Sequence, residues 1–151
     1  MKIALLPESF SVSGGIPDPF DSPDKSPFQP LFASRVSAGF PSPADDYVEG
    51  GIDLHRHLVK NPAATFFAKA SGDSMQLKGI YDGDLLVVDR SLSAKTGDVV
   101  IAAIDGELVC KILDLSNRQL VPANPSYPPI TLCDEAECLI EGVVTHAIRY
   151  L

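Results

Sequence analysis

Eight of the 13 prolines in this chain of 151 residues fall within its first 43 positions, at 7, 17, 19, 23, 27, 30, 41 and 43. Proline fixes its own φ and donates no backbone hydrogen bond, so such a stretch can hold neither a helix nor a central strand. Ser11-Val12-Ser13-Gly14-Gly15 and Asp21-Ser22-Pro23-Asp24-Lys25-Ser26-Pro27 add turn-forming and flexible residues. Residues 1–43 therefore read as an extended, mobile N-terminal arm. Phe28, Leu31, Phe32, Val36 and Phe40 are spaced along it so that parts of the arm can dock on a surface, which a pure spacer would not need.

From Ala44 the sequence changes to apolar runs of strand length separated by turn pairs, and residues 44–151 read as one β-rich body. Ile52 to Val59 reads as a short helix capped by Asp53 and stopped before Asn61-Pro62. Strands are expected at 65–70, 85–89, 98–104, 107–113, 119–121, 130–132 and 139–150. Asp105-Gly106 separates two of them by the residue pair that a tight hairpin turn prefers. Further turns at Asp82-Gly83-Asp84 and Thr96-Gly97-Asp98 keep the strands short and closely spaced. The expected fold is mainly β, a compact rolled antiparallel sheet with one short helix and the extended arm, rather than parallel βαβ units. The length supports one core and not two full domains.

The formal net charge of −8, from 12 basic and 20 acidic residues, opposes association with a phosphate backbone, so direct DNA binding is not expected. Met1 to Leu6 is apolar but reaches Pro7 too early for a signal-peptide core, and no run approaches the ~20 residues of a membrane span. Cys110, Cys133 and Cys138 are an odd number without a framework spacing, which fits a reducing compartment, and a cytoplasmic location is expected. Cys133 and Cys138 have no companion pair for zinc, and no phosphate loop, dinucleotide fingerprint or calcium loop is present. No cofactor or metal is expected.

Ala70-Ser71-Gly72-Asp73-Ser74-Met75 puts a serine just after Gly-Asp at the end of an expected strand. A tight turn there can expose the hydroxyl and aim backbone N–H groups outward, which suits a nucleophile beside an oxyanion hole. The same turn also suits a serine that only hydrogen-bonds the backbone. Lys111 lies in the strand after Asp105-Gly106, and alternation places it on the face of Val109 and Leu113. Burial among apolar neighbours disfavours a charged ammonium, and a neutral amine can take a serine proton, the Ser-Lys variant of triad chemistry. A lysine that snorkels to water from an edge strand is the alternative. His55, His57 and His146 lie in polar or alternating segments suited to surface or packing roles and offer no rival triad.

Ala38-Gly39-Phe40-Pro41-Ser42-Pro43-Ala44, Gly72-Asp73-Ser74-Met75, Asp82-Gly83-Asp84 and Gly106-Glu107 with Lys111 occur in one order, and Ser74 and Lys111 are 37 positions apart. In this the chain, over residues 31–151, resembles the UmuD proteins of bacterial SOS mutagenesis and, more loosely, the C-terminal domains of LexA and of phage repressors. The resemblance implies a self-cleaving serine peptidase with Ser74 as nucleophile, Lys111 as general base, Ala38-Gly39 as the bond cut, and the backbone N–H groups of Asp73 and Ser74 as the oxyanion hole. It further implies a homodimer whose cleavage is stimulated by a RecA filament on single-stranded DNA, the product 39–151 then joining a UmuC-type error-prone polymerase subunit. Gln29-Pro30-Leu31-Phe32 resembles a peptide that binds the sliding clamp, and equally suits docking of the arm. The arm before Leu31 is longer and richer in Pro and Ser than the family pattern, the bond is Ala-Gly where some relatives have Cys-Gly, and position 110 is Cys where an apolar residue is commoner.

Three other readings compete. A LexA-like repressor fragment would belong with a DNA-binding domain, and some forty proline-broken residues are too few for a helix-turn-helix. A signal-peptidase-like enzyme shares the Ser-Lys chemistry but needs a membrane anchor. A catalytically inactive dimeric module of the same fold would have no need of both Ser74 and Lys111.

Overall fold

In a computed structural model, residues 2–5, 28–32, 48–132 and 138–151 are described. They fall into two compact units, one holding the N-terminal strand together with everything from Val59 onward, the other holding a hairpin and a short helix. In the second unit β2 (Phe28–Phe32) pairs antiparallel with β3 (Val48–Asp53), and α1 (Leu54–Leu58) follows. Asp53 caps α1 as the sequence suggests, its carboxylate accepting the Arg56 N–H at 3.1 Å. The helix is shorter than expected because Ile52 and Asp53 are taken by the β3 ladder.

In the first unit β1 (Lys2–Leu5), β4 (Thr65–Ser71), β5 (Leu85–Asp89), β6 (Val99–Ile104), β7 (Glu107–Asp114), β8 (Gln119–Val121), β9 (Ile130–Thr131) and β10 (Cys138–Ile148) form one sheet in the order β1-β4-β5-β10-β6-β7-β8-β9. All its pairings are antiparallel, as the sequence leads one to expect. The strand β1 also meets β7, Lys2 standing opposite Val109, so the sheet curls until its first strand touches its sixth. Asp105 and Gly106 join β6 to β7 with φ of 48° and 81°, the double left-handed turn that matches strand twist and that Asp-Gly tolerates.

Two apolar clusters hold the sheet. One gathers Ala70, Met75, Ile80, Leu86, Val88, Val99, Ile101 and Cys110; the other gathers Val100, Ala102, Leu113, Leu120 and Val143. Alternation along β7 sends Leu108, Cys110 and Ile112 to the first cluster and Val109 and Leu113 to the second. Each such side chain contributes about 1.5–3 kcal/mol when fully buried. Gly142 sits beside a bulge in β10, and a Cβ there would lie 2.8 Å from Val88 Cγ1 and 3.1 Å from the Asp89 carbonyl oxygen, which accounts for glycine at this position.

The strands β1, β2 and β3 are absent from the sequence-based expectation. The first ends ahead of every proline, and Pro30 of β2 stands opposite Gly51 in a two-stranded ladder, where each strand has an open edge that tolerates the missing N–H. No helix among the described residues is long and apolar enough to cross a membrane.

Candidate active site

The end of β4 delivers Ser74. Gly72 takes a φ of 89°, open to glycine, and its N–H donates to Asp82 Oδ1 at 2.7 Å. The Asp73 carbonyl then accepts the Gln76 N–H at 3.1 Å, which starts the short 3₁₀ turn Gln76–Lys78. Ser74 and Met75 are fully buried, so the turn carries the hydroxyl inward instead of exposing it. This corrects the expectation of an outward-facing serine: Met75 is drawn into the apolar core, and Ser74 goes in beside it.

Lys111 stands in the middle of β7, opposite Val100 of β6 in the ladder, and is 4 % exposed. It does not snorkel to water. Its Nζ lies 2.8 Å from Ser74 Oγ and donates to the Cys110 carbonyl at 3.1 Å. Among the described residues no carboxylate pairs with Nζ. A buried amine held between a hydroxyl and a carbonyl has the geometry to exchange a proton with that hydroxyl. Cys110 points into the first apolar cluster, and burial pushes its thiol up to about 12 against the opposing influence of Lys111, so it stays a protonated packing group.

The Asp82-Gly83-Asp84 motif buttresses the turn that carries Ser74. Asp82 pins Gly72, Gly83 N–H donates to the Ala70 carbonyl at 2.8 Å, and the Asp84 carbonyl accepts the Ala70 N–H at 2.8 Å. The Asp84 carboxylate is itself buried and accepts Tyr81 N–H at 2.9 Å, Arg149 Nε at 2.9 Å and Arg149 Nη2 at 2.7 Å. Arg149 also lies over the Tyr81 ring, 3.9 Å from its centroid. Its forked hydrogen bonds hold the Asp84 carboxyl below the ordinary value of 3.8. A carboxyl lowered in the folded state stabilises at neutral pH, and that contribution is lost as the pH falls below 3.8 towards the folded value. Thermal midpoints should therefore fall more steeply in acid for the native chain than for Asp84→Asn; equal acid slopes would show that the pair adds nothing.

A loop that sequence reasoning passed over closes the far side of the turn. Asn124, 5 % exposed, donates from Nδ2 to the Asp73 carbonyl at 3.1 Å, and Tyr127 donates its hydroxyl to Asp73 Oδ1. The carboxylate that accepts this proton holds the Tyr127 phenol above its ordinary value. Leu77 N–H donates to the Ala123 carbonyl at 3.0 Å, tying the same loop to the 3₁₀ turn. The only local signal is an asparagine flanked by Pro122 and Pro125, and nothing in its spacing points to a serine fifty positions earlier.

Of the residues the sequence singled out, Asp73, Ser74 and Lys111 come together. Ala38 and Gly39 lie outside the described residues, as does Cys133. His55 and His57 are exposed on α1, and His146 lies in β10 with Nδ1 3.0 Å from Thr145 Oγ1.

Comparison with known proteins shows the family. The model of the family described as Peptidase S24-like matches residues 30–145. The chain is 52 % identical over 129 residues to Protein ImpA of Escherichia coli, covering 85 % of this chain and 88 % of that one. It is 50 % identical over 132 residues to Protein SamA of Salmonella typhimurium, covering 85 % and 92 % respectively. With the LexA repressor of Xylella fastidiosa it shares 38 % over 117 residues, 76 % of this chain and 55 % of the repressor. The buried Ser74–Lys111 pair thus lies within the matched segment, and the chain belongs to the Peptidase S24-like family, the self-cleaving serine peptidases of the LexA and UmuD type.

Proposed function

We propose that Ser74 is the nucleophile and Lys111 the general base of a self-cleavage that cuts the chain between Ala38 and Gly39. The observation that supports this reading is the 2.8 Å separation of Ser74 Oγ and Lys111 Nζ within a buried site. The neutral amine takes the hydroxyl proton while Oγ attacks the Ala38 carbonyl carbon. The negative charge that develops on that carbonyl oxygen is met by the backbone N–H groups of Asp73 and Ser74. The ammonium returns the proton to the Gly39 nitrogen as the peptide bond breaks, leaving Ala38 as an ester on Ser74. Water, deprotonated by the same amine, then releases it.

The chain's role is that of a UmuD-like protein of SOS mutagenesis. The reading extends to a cytoplasmic homodimer whose cut is stimulated by a RecA filament on single-stranded DNA, with residues 39–151 as the product that joins a UmuC-type polymerase subunit. The filament acts by favouring the conformer in which the segment around Ala38-Gly39 lies at Ser74, a shift of population and not added chemistry. Gln29-Pro30-Leu31-Phe32 is the segment offered to a sliding clamp. Similarity to ImpA, SamA and MucA over more than three quarters of the chain supports this role.

Only the neutral amine accepts the proton, so purified chain held at alkaline pH should cut itself without help, faster as the pH is raised. Mass spectrometry should find two fragments, 1–38 and 39–151. An intact chain after prolonged incubation, or a cut at any other bond, refutes the reading.

A further inference from the structure

We propose that Asn124 is a positioning residue for the nucleophile: its side-chain amide, gripping the Asp73 carbonyl, sets the plane of the Asp73–Ser74 peptide and with it the aim of Ser74. This rests on the reading of Ser74 as nucleophile. A trans peptide is planar, with its C=O and N–H pointing in opposite directions, so a carbonyl held in place leaves its N–H one direction to take. The Asp73 oxygen is held twice, by Gln76 N–H at 3.1 Å and by Asn124 Nδ2 at 3.1 Å. The first bond is local to the turn and follows it wherever it goes. The second comes from a loop 51 positions away and ties the turn to the body.

The amide has no freedom to present its other end. Asn124 Oδ1 accepts the Ser126 N–H at 2.9 Å, which leaves Nδ2 facing Asp73. The Ala123 carbonyl accepts the Leu77 N–H at 3.0 Å and the Asn124 carbonyl accepts the Tyr127 N–H at 3.1 Å, so the backbone on both sides of the amide is set, and Pro122 and Pro125 stiffen the loop that carries it. Nδ2 also approaches Asp73 Oδ2 at 3.5 Å, and the Tyr127 hydroxyl takes Oδ1. Asp73 is therefore held by carbonyl and carboxylate together. A serine attacking a carbonyl needs both its oxygen and its oxyanion donors placed to within a fraction of an ångström, and this clamp supplies that placement without touching the reacting atoms.

Asn124→Asp separates positioning from packing. It is isosteric and keeps the acceptor for Ser126, but replaces the donor to Asp73 with a carboxylate oxygen. Self-cleavage of the full chain should slow by about 100-fold in Asn124→Asp and in Asn124→Ala, at a temperature where circular dichroism shows both folded. The Asp73 carbonyl carbon-13 resonance should move upfield in both variants, a signature that a change of loop packing alone would not produce. Should either fail to fold, Tyr127→Phe, at an exposed position, should still slow cleavage by about tenfold. Rates within about threefold of the native chain, an unmoved Asp73 resonance, or a loss that merely tracks the unfolded fraction overturn the proposal. Ser74→Ala is run beside them: if it cuts, the nucleophile is misassigned, whereas a silent Ser74→Ala with a normal Asn124→Asp removes only the role of Asn124.

Discussion

Ser74→Ala should abolish self-cleavage, lowering the first-order rate by at least about 10⁴-fold, because it removes the hydroxyl that stands at Lys111 Nζ and would form the ester with Ala38. The fold should hardly notice. The substitution removes one oxygen from a fully buried position, and with it the hydrogen bond to Lys111 Nζ, which keeps its bond to the Cys110 carbonyl. A loss of about 1 kcal/mol in unfolding free energy is the expected scale. A large kinetic effect with a small stability effect marks a group that acts in the reaction. A Ser74→Ala chain that still yields fragments 1–38 and 39–151 at the native rate would mean that another group, or a contaminating peptidase, makes the cut.

Replacing Lys111 should be equally severe, and the choice of substitute separates charge from bulk. Lys111→Met keeps an unbranched side chain of similar length and removes only the amine, so it should be inactive; the apolar group gained in the core offsets the hydrogen bonds lost at Ser74 Oγ and the Cys110 carbonyl, and the unfolding free energy should change by no more than about 1 kcal/mol. Lys111→Arg keeps the hydrogen-bond donors but not the ability to lose a proton, and should also be inactive. If Lys111→Arg cuts at the native rate, Lys111 is not the base. The double variant Ser74→Ala with Lys111→Met should be no slower than either single one, because the two side chains carry one proton transfer between them and their effects do not add.

The body of the fold was legible because its strands carry their own signals. The run Leu85 to Asp89 was placed to the residue, and the β6–β7 turn was marked by Asp105-Gly106, whose backbone requirement is met by few other pairs. Three strands were not legible. In Lys2–Leu5 four residues are too few to establish a period, and Phe28–Phe32 contains a proline that argues against any strand except one with an open edge. Both form because of a partner elsewhere, Thr65–Ser71 for the first and Val48–Asp53 for the second, and a partner distant in the chain leaves no local pattern.

The chemistry divides along the same line. The chain's own order of residues determined which groups could react: a serine after Gly-Asp, a lysine in an apolar strand, and a small-residue bond in a proline-rich arm. Parity of the strand also determined that Cys110 and Lys111 face opposite ways. Only the tertiary structure decided that the serine turns inward, that its oxygen stands 2.8 Å from the lysine nitrogen, and that Asn124 and Tyr127 grip the residue before it. Those facts depend on the curl of the sheet, which brings the end of β4 to the middle of β7, and on a loop that closes across 51 positions. Distances of this kind arise from pairing between remote segments, and no window of neighbouring residues contains them.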